Sequence, residues 1–248
     1  MIRTIFAVIF VFLFLVLSIP YLLIEALLSK RDPKASSLRQ LRVVQWAFRV
    51  VAFISGAQLK LTGMENIPAD QPVLFVGNHL SLFDIVLSYG HLPFMTGFVA
   101  KKSIEKVPLL KTYMKRIGCL FLDRSDLRAG LKMILDACGY IKEGTSIFIF
   151  PEGTRNRSGD ETALGEFHDG SFKIAQKTGC PVIPVAFHNT NALFEDHAPA
   201  IKKAPVTITF GKPVLFADLT PEERKHVGEH FRGIIIEMLK EIEPESER

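Results

Sequence analysis

From Leu59 onward the chain alternates apolar runs of strand length with segments of helical period, and this alternation restricts the fold more than any other feature. Val73–Gly77, Gly97–Ala100, Cys119–Leu122, Ser146–Phe150, Val182–Phe187 and Val206–Phe210 read as strands. Leu82–Tyr89, Ile104–Ile117, Leu127–Lys142 and Ser171–Thr178 read as helices between them. Several strands are continuous apolar runs, the pattern of a strand buried on both faces. Such a chain is expected to form an α/β domain, with a mixed, partly parallel sheet flanked by helices. Thr220-Pro221-Glu222-Glu223 opens a last helix with a cap, a first-turn proline and acids at the positive end. That helix is expected to reach about Ile242 and pack on the sheet, leaving a polar tail at 244–248.

With 248 residues, 48% of them hydrophobic, the chain can bury one full core and carry an appendage. The appendage is N-terminal. Thr4 to Ile24 contains no charged residue and is rich in Ile, Val, Leu and Phe. At about 1.5 Å per residue such a helix can cross a hydrocarbon core about 30 Å thick. No small-residue cleavage site follows it, so a retained membrane helix is expected, kinked at Pro20. Lys30, Arg31, Lys34, Arg39 and Arg42 follow the run, against Arg3 before it, which places the body on the cytoplasmic side of a bacterial inner membrane or its equivalent. Leu38 to Leu59 reads as a second helix at the interface, with Arg39, Arg42 and Arg49 reaching lipid headgroups, and an ordinary buried helix of the body is the plain alternative. The expected division is 1–58 for membrane-anchoring helices, 59–243 for the α/β domain and 244–248 for the tail.

Composition removes other classes. The three cysteines, Cys119, Cys138 and Cys180, have no finger or CxxC spacing, so reduced packing thiols are expected and no metal site. A net charge of +4 suits anionic lipid or anionic substrates and does not call for nucleic acid. The scattered histidines His91, His168, His188, His197, His226 and His230 lack metal-ligand spacing. No GxSxG elbow is present, which counts against a serine hydrolase, and Cys180 before Pro181 has no positioned base.

Two motifs carry chemistry. Asn78-His79-Leu80-Ser81-Leu82-Phe83-Asp84 places a histidine just past a strand end, where ligands of open α/β folds gather. Inside one regular helix His79 and Asp84 would point about 140° apart with about 7.5 Å of rise. They can meet if His79 lies in the turn and Asp84, in the first helical turn, points back. Ser81 to Asp84 also fits a loose capping box, so on spacing alone Asp84 could be a helix cap and His79 a strand-end residue. Phe150-Pro151-Glu152-Gly153-Thr154-Arg155 ends a buried strand with a forced turn and crowds hydrogen-bond donors into one loop. An arginine fork beside a glycine turn suits phosphate, and a solvated turn is the plain alternative.

Together these motifs resemble those of the glycerolipid acyltransferases, specifically the 1-acylglycerol-3-phosphate acyltransferases. Two further blocks agree: Ala100-Lys101-Lys102-Ser103 with Val107-Pro108-Leu109-Leu110 and Gly118 to Arg124, and then Val182-Ile183-Pro184-Val185-Ala186-Phe187. All four stand in the family's order between about Leu61 and Phe216. The resemblance implies acyl transfer from acyl-CoA or acyl-carrier protein to the sn-2 hydroxyl of 1-acyl-sn-glycerol 3-phosphate, giving phosphatidic acid, with no bound cofactor. It implies His79 as general base and Asp84 as its orienting acid. Glu152, Gly153, Thr154 and Arg155, with Lys101, Lys102 and Arg124, map onto acceptor and phosphate binding. Pro184 maps onto the fourth block, as a structural or acyl-donor residue. Backbone N–H groups near Gly153 are candidates for the oxyanion. The basic run Lys101, Lys102, Lys106, Lys111, Lys115 and Arg116 fits either a solvated face or a dock for an acidic carrier protein or CoA phosphates. Another lysophospholipid or a lyso-aminolipid as acceptor, and a non-catalytic lipid-binding protein, are the competing readings.

Overall fold

The computed structural model describes residues 1–123 and 126–246. Its helices and strands, in chain order, are α1 (Ile2–Leu17), α2 (Ile19–Leu28), α3 (Pro33–Ser55), β1 (Ala57–Thr62), β2 (Leu74–Gly77), α4 (Phe83–Tyr89), β3 (Thr96–Lys101), α5 (Pro108–Arg116), β4 (Leu120–Leu122), α6 (Leu127–Lys142), β5 (Ser146–Ile149), α7 (Lys173–Thr178), β6 (Val182–His188), β7 (Ala204–Phe210), α8 (Pro221–Lys225) and α9 (Val227–Ser246). Short 3-10 turns link several of them, including Lys102–Lys106 before α5 and Glu195–His197 between β6 and β7.

The strands make one seven-stranded sheet in the order β1-β7-β6-β2-β5-β3-β4. Every pairing is parallel except β6 with β7, so the expected mixed, largely parallel α/β sheet is what forms. The continuous apolar runs explain this arrangement. All four residues of β2, and all four of β5, are buried, because both sheet faces are covered. Phe75, Phe98, Phe148 and Phe150 point to one face, toward α3, α4 and α5, and Leu74, Val76, Ile147 and Ile149 point to the other, toward α6, α7 and α9. Phe148 stacks on Phe75 at 5.5 Å and on Phe98 at 4.8 Å between centroids. Truncating one such ring to alanine costs about 3–5 kcal/mol.

The N-terminal run bends near Pro20, where a kink was expected. It is two helices, bent by 44° at a break that includes Ser18, with Pro20 in the first turn of α2. No single described helix is long and apolar enough to cross a membrane, although the bent pair α1–α2 is by length and composition. Its outward side chains are large and apolar: Phe12, Leu17, Leu23 and Leu27 are each more than 60% exposed.

Helix α3 begins at a strong signal: Asp32 caps it, accepting from the Ala35 N–H at 2.9 Å, and Pro33 fills the first turn. It stops at Gly56, in the left-handed region at φ 76°, and β1 follows immediately. The strand β1 lies where the sequence suggested the end of a helix. The polar residues Gln58, Lys60 and Thr62 give it an alternation that the apolar-run criterion passes over. Two of the arginines expected at lipid headgroups turn inward instead. Arg39 Nε and Nη2 donate to the buried Glu25 at 2.7 and 2.9 Å, and Arg49 Nη1 donates to the Gly90 carbonyl at 3.1 Å. A carboxylate as buried as Glu25 needs a cation, and Arg39 lies within its reach.

Two other expected helices are divided. Pro108, which has no N–H to donate, starts α5 afresh after the Lys102–Lys106 turn. The last helix breaks at His226, where the Gly228 N–H donates to Asp169 Oδ1 at 2.8 Å. A Cβ at Gly228 would sit 2.1 Å from the Phe167 carbonyl oxygen, so close backbone contact sets that break. Helix α9 then continues past Ile242 to Ser246; of the expected tail, Glu247 and Arg248 lie outside the described residues.

Candidate active site

Strands β2, β5 and β6 are neighbours in the middle of the sheet, and their C-terminal ends open on one edge. His79 follows β2, the Glu152–Arg155 turn follows β5, and Thr190 follows β6. This is where an open α/β sheet presents a ligand site. Asn78 ties two of the ends together: its amide donates to the Phe187 carbonyl at 2.9 Å and accepts from the Phe187 N–H at 2.8 Å.

His79 and Asp84 meet in the way the spacing allowed. His79 lies in the turn, Asp84 lies in the first turn of α4, and Nδ1 is 2.8 Å from Oδ2. The same oxygen accepts from the Leu80 and Ser81 N–H groups, each at 2.8 Å. Asp84 is therefore the histidine's partner and also fastens the turn before α4, whose N-cap, Leu82, makes no side-chain cap bond. Its other oxygen accepts from the Thr190 hydroxyl at 2.5 Å. Four donors thus surround a carboxylate with no exposed surface, the condition under which a buried charge is tolerated. Because Oδ2 is an acceptor, Nδ1 carries the proton and Nε2 is left with its lone pair. The ring stacks on Phe150 at 4.2 Å and 18°, which fixes its plane.

Glu152 is buried, and it does not present its carboxylate to the open edge. Oε1 accepts from the His79 N–H at 3.0 Å and Oε2 from the Gly165 N–H at 2.9 Å. Burial raises its pKa above the usual glutamate value, and the two backbone donors lower it in part. The His79 carbonyl accepts from the Asn156 N–H at 2.7 Å, so the loop after β5 grips both sides of the His79 backbone. Gly153 adopts φ 69°, which a β-carbon would resist, and its N–H donates to the Phe150 carbonyl at 3.0 Å. That N–H, one of the group near this turn that the sequence offered for the oxyanion beside a basic side chain, is already committed.

The candidate phosphate ligands are only partly gathered. Arg155 Nη1 lies 2.6 Å from Glu195 Oε1, and Glu195 also accepts from the Ser81 hydroxyl at 2.5 Å and the Leu82 N–H at 3.0 Å. Lys101 ends β3, and Lys102 pairs with Asp123 at 3.3 Å. Thr154 is exposed. Arg124 lies outside the described residues. Pro184 is buried in mid-strand, beside Val76 of β2, and its carbonyl accepts from the Gly211 N–H at 2.8 Å, so it sits inside the sheet and away from the open edge. The three cysteines are free and buried, and burial pushes the Cys119 thiol up to about 12 and raises Cys180, which makes poor nucleophiles of both.

Sequence reasoning missed Thr190, Glu195 and the pair Glu161–His188. Glu161 Oε2 is 2.7 Å from His188 Nδ1, and Oε1 accepts from the Asn189 N–H at 2.7 Å, which anchors the loop after β5 to the end of β6. Only their position beyond the fourth apolar block could have singled out Thr190 and Glu195.

A family model described as acyltransferase matches residues 58–188. The chain is 36% identical over 148 residues to a 1-acyl-sn-glycerol-3-phosphate acyltransferase of Borreliella burgdorferi, an alignment covering 59% of this chain and 57% of that protein. It is 30% identical over 196 residues to a protein of the same description from Saccharomyces cerevisiae, covering 79% of this chain and 64% of that one. The chain therefore spans 57% and 64% of the length of these two relatives. Its fold matches the crystal structure of the 1-acyl-sn-glycerophosphate (LPA) acyltransferase PlsC from Thermotoga maritima with a TM-score of 0.80, over 97% of this chain and 95% of that one, at 23% identity. At that identity the likeness is one of fold.

Proposed function

Because the chain belongs to the acyltransferase family, we propose that it is an O-acyltransferase that moves a fatty acyl group from a thioester, acyl-CoA or acyl-carrier protein, to the sn-2 hydroxyl of 1-acyl-sn-glycerol 3-phosphate. The product is phosphatidic acid. The observation that carries this reading is the Nδ1–Asp84 contact, which leaves Nε2 of His79 as the proton acceptor at the C-terminal edge of the sheet. The relatives' names supply the acceptor class.

In this mechanism Nε2 takes the proton of the acceptor hydroxyl as the oxygen attacks the thioester carbon. Asp84 steadies the imidazolium that forms. The tetrahedral oxyanion collapses, the C–S bond breaks, and the proton passes from Nε2 to the departing thiolate. The acceptor's own alcohol plays the part that serine plays in a hydrolase, so no acyl-enzyme is required. Arg155, Lys101 and Lys102 supply the cations for the phosphate, and Glu152 acts by holding the His79 backbone.

Within residues 1–58 the membrane-anchoring part is α1–α2, because α3 covers the sheet and Ala57 and Gln58 already belong to β1, and the acyltransferase part runs on to residue 243. The bent pair α1–α2 sets its exposed apolar side chains in the bilayer, with the body on the cytoplasmic face beside Lys30, Arg31 and Lys34. Keeping the lysolipid tail in lipid avoids a cost of about 0.8 kcal/mol per CH₂ withdrawn into water. The basic face of α5 gives a carrier protein or CoA phosphates a place to dock.

The test is thiol release from acyl-CoA by detergent-solubilised protein, with and without 1-acylglycerol 3-phosphate, beside His79→Ala. Release that requires the acceptor and is lost in the variant is expected. Release with a lyso-aminolipid or another lysophospholipid, and none with this acceptor, would reassign the substrate. No release with any thioester donor or lysolipid would leave a lipid-binding protein.

A further inference from the structure

Glu195 engages three donors, and each belongs to the neighbourhood of the base. Its oxygens lie 2.6 Å from Arg155 Nη1, 2.5 Å from the Ser81 hydroxyl and 3.0 Å from the Leu82 nitrogen. Ser81 and Leu82 belong to the turn that carries His79, and Arg155 is the cation assigned above to the phosphate. A carboxylate and a phosphate are both acceptor-only anions, and a guanidinium fork takes either.

The segment carrying Glu195 is secured by other contacts. The Thr190 hydroxyl donates to Asp84, the Asn189 amide donates to the Pro205 carbonyl at 2.7 Å, the Lys202 N–H donates to the Leu193 carbonyl at 2.9 Å, and the Ile201 N–H donates to the Thr4 hydroxyl at 2.8 Å. Leu193 is fully buried. Rotation of one side chain can therefore clear Arg155 and Ser81 without unravelling the connection between β6 and β7.

We propose that Glu195 is an internal stand-in for the acceptor's phosphate: it fills the anion slot formed by Arg155 and the Ser81 hydroxyl, and must swing out before the acceptor binds. The proposal rests on the phosphate-bearing acceptor assigned above. It makes Glu195 the residue that sets acceptor affinity. A slot closed nine-tenths of the time weakens binding about tenfold.

The experiment measures the KM for 1-acylglycerol 3-phosphate at saturating acyl-CoA in wild type, Glu195→Gln and Glu195→Asp. In parallel, inorganic phosphate is titrated against the thermal unfolding of each full-length protein at matched ionic strength. Aspartate keeps the charge but falls one methylene short, so it separates occupancy of the slot from simple repulsion of the phosphate. Glu195→Asp is expected to lower the acceptor KM about tenfold, more than it changes kcat, and to bring stabilisation by phosphate to about tenfold lower concentration. In an Arg155→Ala background the same change must give no gain. A KM that rises or stays level in Glu195→Asp, or a gain confined to Glu195→Gln, overturns the proposal. Absent turnover with this acceptor would reject the acceptor assignment. A phosphate response that still distinguishes Glu195→Asp from wild type would even then support the slot.

Discussion

The Thr190 hydroxyl donates to Oδ1 of Asp84 across 2.5 Å, joining the end of β6 to the acid that orients His79. It is the one donor on that oxygen among the described residues, while the other oxygen has three. Thr190→Val keeps the shape and removes the donor. We expect kcat to fall about tenfold or more, since an unmet buried polar group costs about 1–3 kcal/mol, with little change in acceptor KM. Thr190→Ser should restore most of the rate. A valine variant with wild-type kcat would show that Thr190 does not position Asp84.

His79→Ala should lower turnover by about 10³-fold while the circular dichroism spectrum and thermal midpoint stay near wild type. Asp84→Asn should be comparably damaging, because an amide NH₂ cannot accept from Nδ1–H and turns the ring toward the wrong tautomer. Steady-state rates with saturating substrates decide both.

Glu152 gives a pH signature. Burial raises its folded-state pKa above 4.5, so at a pH between those two values the folded protein holds a proton that the unfolded chain has released. Stability from this residue therefore grows as the pH falls from above the raised value toward 4.5 and is lost as the pH rises through it. Denaturant midpoints of wild type relative to Glu152→Gln should shift in favour of wild type across that window. A difference that does not vary with pH would contradict the shift. Glu152→Gln should also cost turnover, because its NH₂ opposes one of the two backbone N–H groups that Glu152 accepts.

Arg155→Ala should raise the acceptor KM about 10- to 100-fold, the range for losing a charge-assisted hydrogen bond, with a smaller effect on kcat. An unchanged KM would remove Arg155 from the phosphate site.

Phe12→Glu combined with Leu23→Glu should move the protein from vesicles to the supernatant in a flotation assay. Both side chains are more than 60% exposed, and each charge costs about 2.5–3.5 kcal/mol at the centre of a bilayer. Undiminished flotation would mean that another surface holds the membrane.

The sheet was legible because buried parallel strands leave apolar runs that need no partner to be recognised, as in Ser146–Phe150. The strand β1 was not, since its Gln58-Leu59-Lys60-Leu61-Thr62 alternation follows directly on a helix and is interpretable only once β7 lies beside it. His79 and Asp84 were legible because five residues of spacing bring them together locally. Thr190 and Glu195 were not: their contacts to Asp84 and Ser81 span 106 and 114 residues, and no local pattern encodes a contact at that range. The pairing of Arg39 with Glu25 escaped notice for the related reason that an arginine near apolar surface looks the same whether it faces lipid or a buried acid.

The contacts of Asn78 with Phe187 have a consequence for how the protein is made. A chain still on the ribosome and ending before β6 would already hold the His79–Asp84 motif and the Glu152–Arg155 turn. It would lack both Phe187, which fixes the residue before the base, and Thr190, which completes the shell of the acid. The nascent chain thus carries both chemistry-bearing motifs well before it has an aligned base. The aligned base would form only late in synthesis, when most of the body has been made.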